Sequence, residues 1–479
     1  MRNKFFYFLY LLVCLAALFS FSCQKDEVDE NAKVEFSKQA INFDTVFTTI
    51  GSTTQNFTVR NPHNFSISLN IDLAGGSQSL FSINVDGVAG HHFSSVEIAP
   101  HDSIFIHVKV NINPNNQNTP FIVTDSIIFR NGNSTQDVDL LAYGQNANFI
   151  VANAGSGSLR YKIIAGAHET VTWTNDKPYV IYGGYAAVDS LGTLIIEPGT
   201  KIYFHSGAGL WIYRYGNIQA TGTTDEPIVF RGDKLSSWYD TDYAQWDRIW
   251  INEGTRNNLF ENVVITNAFI GLQVEALNER LSNETILKNC IIKNTHNSGI
   301  LARNCQITAE NCQISNNGGC GLQLQIGDFD LKHLTVANYF SQSVRRFPAL
   351  YVSNTYSDGV HDYIGNTATT LTNCIVYGSM TDEIVVYKYE NEDVTMNTRM
   401  ENCLIRHSQA LDCFINCIRN SDPLFTNYAQ QDFTLRTGSP AIDAGKLGLS
   451  IHTDLTGNAR DANPDIGAYE YGSQRKFRY

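Results

Sequence analysis

Three short stretches constrain the fold of most of this chain. Asn289, Asn311 and His333 begin the tetrads NCII, NCQI and HLTV, and successive ones stand 22 residues apart. A repeat of that period marks a solenoid, in which each repeat is one coil and buries its apolar face only against its neighbours. Related tetrads stand at 304 (NCQI), 373 (NCIV) and 402 (NCLI). Side chains alternate along a strand, so each cysteine shares a face with the residue two further on. Those partners are Ile292, Ile307, Ile314, Val376 and Ile405, while the residue between varies from Gln to Ile to Leu. The cysteine face is therefore the interior, with rungs about 4.8 Å apart. The leading asparagine belongs at the turn entering each strand, where its side chain can bond local backbone or stack into an amide ladder.

The cysteines admit three readings. Free thiols packed as small apolar groups fit the alternation. A disulfide among Cys403, Cys413 and Cys417 is an alternative, although rungs of a stacked ladder seldom offer disulfide geometry. A metal site normally brings a CxxC pair or histidines at ligand spacing, and the tetrads have neither.

Abundant Tyr (23) and Phe (27), with charged residues at 17 %, point to an all-β chain. Residues 1–22 read as a secretory leader, with Arg2 and Lys4 ahead of FFYFLYLLVCLAALF and then SFSC. The apolar run is short for a membrane span. A cysteine at this place resembles the lipobox of bacterial lipoproteins. That resemblance implies acylation of Cys23 and a lipid anchor in the outer membrane. The acidic run QKDEVDE, within a linker over 23–34, is similar to export tags of lipoproteins displayed on the exterior. Loss of two basic residues with the leader leaves 32 of the 34 Lys and Arg against 47 Asp and Glu, a net charge of −15. Phosphate recognition needs a basic stripe, so nucleic acid is not an expected partner.

Residues 35–148 carry short alternating strands such as SIFIHVKVNI (103–112) at sandwich-like intervals. HNFSISLNID and a final strand ending in YGQNA resemble bacterial immunoglobulin-like modules. With no cysteine there, such a sandwich lacks an inter-sheet disulfide. From 149 to 425, Gly-punctuated runs such as GTLIIEPGTKIYFHSGAGLWIYRYG resemble the right-handed parallel β-helix of the pectin-lyase-like superfamily, here with about ten to twelve coils. Residues 426–479, with DFTLRTGSPAIDAG and PDIGAYEY, resemble the closing module of surface β-helix proteins. This segment is expected to cover the last coil as a cap, with Asp454 and Arg460 as an ion pair. The expected fold is all-β: an N-terminal immunoglobulin-like β-sandwich, then a right-handed parallel β-helix with a C-terminal cap.

In β-helix carbohydrate enzymes the substrate lies along one outer face between protruding loops, and the resemblance implies the same here. The tetrads at 333 and 373 are 40 residues apart, 18 more than one coil, so 338–366 is a loop-rich excursion; 235–246 is another. Trp238, Tyr239, Asp240 and Tyr356 are the candidate binding residues for an extracellular polysaccharide or host glycan, by stacking and hydrogen bonding. Trp246 and Trp250 in WDRIW read as packing. A lyase could draw on Arg345, Arg346 or Lys332 as base or clamp, with Ca²⁺ held by Asp240, Asp242, Asp358 or Asp362. A hydrolase could pair Asp358 with Asp362, or Asp382 with Glu383, and His361 completes the catalytic candidates. No known lyase or hydrolase signature selects among them. No cofactor is expected beyond that optional Ca²⁺, for which the Asp461–Asn463–Asp465 run lacks the glycine and distal glutamate of an EF-hand. The leading expectation is a surface protein that binds carbohydrate through β-helix loops, with catalysis as the alternative.

Overall fold

The computed structural model describes residues 31–48, 51–114, 118, 120–157, 159–276 and 284–473. The leader, Cys23 and the acidic run lie outside the described residues. The chain divides between Asn146 and Ala147 into two compact units.

The first unit is a β-sandwich of two five-stranded sheets. One runs in the order Glu35–Phe36, Gln55–Arg60, Ser103–Val110, Phe81–Val85, Val88–Gly90, and all its pairings are antiparallel. The other runs Ala40–Phe47, Ser134–Gln145, Phe121–Asn131, Ile67–Leu73, His92–Ile98, and here the first two strands are parallel. Along Ser103–Val110 every second residue is buried, as a sheet with one face on the core requires. Aromatic packing occupies the centre: Phe57 meets Phe129 edge-on at 6.3 Å, and Phe36 lies 4.8 Å from Phe129.

The second unit is a right-handed parallel β-helix with three faces. Face 1 is an eleven-stranded sheet from Asn148–Val151 to Ile418–Arg419. Faces 2 and 3 join in an 18-stranded sheet; face 2 runs from Leu159–Ala165 to Ile384–Tyr387, and face 3 from Thr170–Trp173 to Phe414–Ile415. Ile291 pairs with Gln313, and Gln313 with Thr335, which is the 22-residue rung. Asn289, Asn311, His333, Asn373 and Asn402 occupy the bend from face 3 into face 1, with φ between 50° and 56°. Left-handed backbone costs an ordinary residue about 1–2 kcal/mol and asparagine least, which explains the tetrad heads. Asn416 (φ 51°) and Cys417 continue the series one coil further, a repeat the tetrad pattern did not flag. At the bend from face 2 into face 3, Asn304 has φ 52°, and its counterpart one coil on is Ile326 at φ 58°, a costly choice for a β-branched side chain.

The cysteines point inward, and all eight among the described residues are free thiols, six of them buried. They stack closely: the amide of Leu334 donates to Cys374 Sγ, and that of Cys374 to Cys403 Sγ, each at 3.4 Å. Burial pushes the Cys320 thiol up to about 12 and raises Cys290 and Cys305 as well. Titration of the native protein with a thiol reagent is therefore expected to leave the six interior thiols unmodified until denaturant is added, and Cys417, raised by its bond to Cys403 and by burial, should be slow as well. Fast reaction of those six in the native state would contradict this packing.

The C-terminal segment departs from the expected end cap. It runs back along the outside of face 1, packing Phe433, Ile466 and Ala468 against Ile291, Ala337 and Ile375. Face 1 turns apolar residues outward and needs this cover, which is why the segment lies along the coils. The bend asparagines hold it: Asn311 Nδ2 donates to Thr453 O (2.7 Å), and Asn373 Nδ2 to Lys446 O (3.1 Å). The proposed Asp454–Arg460 pair is not formed. Arg460 pairs with Glu470 at 2.8 Å and donates to Asn311 Oδ1 and Gly467 O, while Asp454 accepts the amides of Thr456, Asn458 and Glu470. Asp461 and Asp465 are likewise taken up by backbone amides.

His333 is buried beneath this segment, and burial followed by the Arg460 charge pushes its pKa down to about 3. The unfolded imidazole takes up a proton near pH 6.5 and the folded one does not, so stability falls as pH drops from about 6.5 toward 3. The slope is at most about 1.4 kcal/mol per pH unit. His333→Asn restores the residue used at neighbouring bends and should flatten this dependence in urea unfolding between about pH 6.5 and 5. Asp465 and Glu470 are pushed up by burial and act in the opposite sense, nearer the ordinary carboxylate range. Equal slopes for wild type and variant would remove His333 from the account.

Candidate functional site

Face 2 is built from a repeated pentad whose second and fourth residues point inward. GLWIY (209–213), RIWIN (248–252), GLQVE (271–275), GILAR (299–303), GLQLQ (321–325), ALYVS (349–353) and EIVVY (383–387) stack in register. Their third residues form one outward column: Trp211, Trp250, Gln273, Leu301, Gln323, Tyr351 and Val385. The fifth residues form a second, in which Glu275, Arg303, Gln325, Ser353 and Tyr387 are neighbours.

In-register stacking brings the two tryptophans face to face, with centroids 5.3 Å apart and planes 13° from parallel. Tyr161 and Tyr185 approach Trp211 at 5.9 and 6.3 Å, and Tyr213 meets it edge-on at 5.0 Å. The indole edges are anchored: Trp211 Nε1 donates to Asn252 Oδ1 (2.6 Å) and Trp250 Nε1 to Glu275 Oε1 (2.7 Å). Trp250, read from sequence as packing, thus faces outward, whereas Trp246 is buried against Phe204 at 4.2 Å. Beside the aromatics, Arg248 holds Asp247 (2.9 Å) and donates to Gln273, and the Tyr185 hydroxyl donates to Asp247. Arg303 lies 3.9 Å from Glu275, donates to Gln325 Oε1, and sits 5.2 Å over the Tyr356 ring.

The sequence candidates fall on both rims of face 2. Tyr356, Asp358, His361 and Asp362 share the hairpin Thr355–Ser357 and Asp362–Ile364, at the edge leading to face 3. Tyr356 stacks on Tyr363 at 4.6 Å, and burial pushes its hydroxyl up to about 12. Asp358 accepts the amides of Val360 and His361, which hold its carboxyl down at about 2. His361 and Asp362 are exposed. Trp238, Tyr239 and Asp240 lie on the other rim, in the loop after the face 1 strand Ile228–Gly232. Trp238 is 87 % exposed, Lys234 Nζ sits 5.1 Å over Tyr239, and Asp240 pairs with Arg231 at 3.1 Å. Asn267 Nδ2 tethers this loop through the carbonyl oxygens of Tyr239, Asp240 and Asp242. On the same rim the Arg345 side chain is 2 % exposed and pairs with Glu383, while Arg346 is exposed. Asp382 accepts the Ser408 amide, and Lys332 pairs with Asp330 on face 3.

Chemically, this surface is furnished for contact more than for proton transfer. Burial raises the Tyr185, Tyr351 and Tyr356 hydroxyls, opposite to what a tyrosine base requires. Among the described residues no cluster of three or more His, Cys, Asp or Glu is placed to hold a metal ion. The pentads were the missed signal: aligned on their inward residues, they give both outward columns directly.

Fold and site together define a right-handed parallel β-helix with an aromatic outer face between two loop rims. In agreement, a family model of right-handed β-helix regions matches residues 169–338. No curated protein matches the chain. Among solved structures it is similar to PapD-like domain 7 of human CEP192, at 10 % identity and a TM-score of 0.17, over 26 % of this chain and 92 % of that one. It is also similar to a family 123 glycoside hydrolase of glycolipid glycans from Clostridium perfringens, at 11 % identity and a TM-score of 0.18, over 23 % of this chain and 26 % of that one.

Proposed function

We propose that the protein binds an extended carbohydrate chain along the outside of face 2, without cleaving it. In this reading Cys23 carries a lipid anchor in the outer membrane, and the sandwich is an immunoglobulin-like spacer that presents the β-helix to extracellular or host glycans. The single observation that supports it most is the in-register column led by Trp211 and Trp250, half-buried on the outside of the coils between two rims. Aromatic rings stack on sugar faces, while the amides of Gln273, Gln323 and Gln325 are bonded to Arg248, Ser298, Arg303 and Thr355 and hold the column in place. Trp238 extends the contact onto one rim, whereas Tyr356, expected from sequence to bind, is buried between Arg303 and Tyr363 and only supports the other rim.

The test follows product release and binding together. Full-length protein is incubated with a panel of polysaccharides, with and without Ca²⁺, while new reducing ends and unsaturated-uronate absorbance are recorded. Retardation in polysaccharide gels without product is the expected result. Release of either product makes the protein a hydrolase or lyase, with the rim residues Asp358, His361 and Asp362 as the first targets.

A further inference from the structure

Besides Arg231 with Asp240 on the rim, face 2 and its rims carry four further arginines that each meet a carboxylate. Arg214 pairs with Glu253 (2.5 Å), Arg248 with Asp247 (2.9 Å), Arg303 with Glu275 (3.9 Å), and Arg345 with Glu383. Arg248 and Arg303 belong to the outward surface itself, flanking the aromatic and amide column. Two unmasked guanidiniums there would favour chains bearing carboxylates, because arginine matches a carboxylate in two-point geometry.

Resting on the carbohydrate reading above, we propose that Asp247 and Glu275 act as charge masks, so that this face selects uncharged glycans and rejects uronate-rich ones. A uronate chain meets guanidiniums already neutralised, gains no net ion pair, and must approach carboxylates it repels. The formal charge of −13 on the whole chain adds to the repulsion at long range. Rejection through built-in opposing charge is a common route to specificity. Glu275 is the sharper mask. Its Oε1 also accepts the Trp250 indole N–H, and glutamine would keep that acceptor while removing the charge. In the same way Asp247→Asn keeps an acceptor for the Tyr185 hydroxyl.

The test measures affinity for a galactomannan and a polygalacturonate of matched length, using full-length wild type, Glu275→Gln and Asp247→Asn at low salt. Wild type should bind the galactomannan and not the polygalacturonate. In each variant the ratio of polygalacturonate to galactomannan affinity should rise by about tenfold or more, the gain should vanish as salt is added, and Arg303→Gln should cancel it in the Glu275→Gln background. Unchanged urea unfolding certifies that the fold is intact, and two variants at separate pairs guard against loss of one to misfolding. If wild type binds galactomannan and neither variant shifts the ratio, the masks are refuted while carbohydrate binding stands. Tight wild-type binding to polygalacturonate refutes them too. Binding to neither polymer, nor to any other glycan, removes the reading on which the proposal rests.

Discussion

Replacing Arg460 with methionine should detach the C-terminal segment from face 1 and lower the stability of the β-helix by about 3–5 kcal/mol. The Arg460 side chain is 2 % exposed and joins three parts of the molecule. Nη1 donates to Glu470 and to Asp465 O, and Nη2 donates to Gly467 O and, across 149 residues of sequence, to Asn311 Oδ1. Methionine fills much of the space and leaves Glu470 buried without its cation, in a place where burial already pushes both Glu470 and Asp465 up. The asparagine bend at 311 loses its clamp at the same stroke. Urea unfolding should shift accordingly, and limited proteolysis should cut between about 436 and 465 while the coils stay resistant. A segment that remains protected, with a loss under about 1 kcal/mol, would show that apolar cover alone holds it.

A loss of similar size, about 3–5 kcal/mol, is expected from Arg345→Met. Glu383 is fully buried and accepts the amides of Ala349 and Met380 as well as the Arg345 guanidinium, so the pair ties the 339–349 loop to the rung that follows it. Methionine leaves an uncompensated carboxylate in the interior. Glu383→Gln removes the charge and keeps an acceptor for one of the two amides, so the double variant Arg345→Met, Glu383→Gln should recover part of the loss. The resulting coupling energy, about 1–3 kcal/mol, is read from a double-mutant cycle. Additive losses would mean that the two side chains serve the loop independently.

The parts legible in the sequence were those written with a local period. The 22-residue tetrads announced parallel coils, and alternation placed Cys290, Cys312, Cys374 and Cys403 inside, where they are found. Asparagine at each tetrad head followed from the left-handed bend. The route of the C-terminal segment has no such period. Nothing near Arg460 in sequence says that its partners are Glu470 and Asn311 and not Asp454. The Arg345–Arg346 doublet is equally mute, since one is buried only because Glu383 lies 38 residues later on the neighbouring rung. In WDRIW, two tryptophans four residues apart face opposite ways: the first precedes the strand and turns in, and the second sits between two inward isoleucines.

The most direct test of glycan contact along face 2 is the affinity of the full-length protein for a neutral polysaccharide, compared with Trp211→Ala/Trp250→Ala by titration calorimetry. Removing two stacked rings should weaken binding by about 2–4 kcal/mol, roughly thirty- to a thousand-fold, with Trp238→Ala costing much less. A double variant that binds as tightly as wild type would contradict the account and move the contact off face 2.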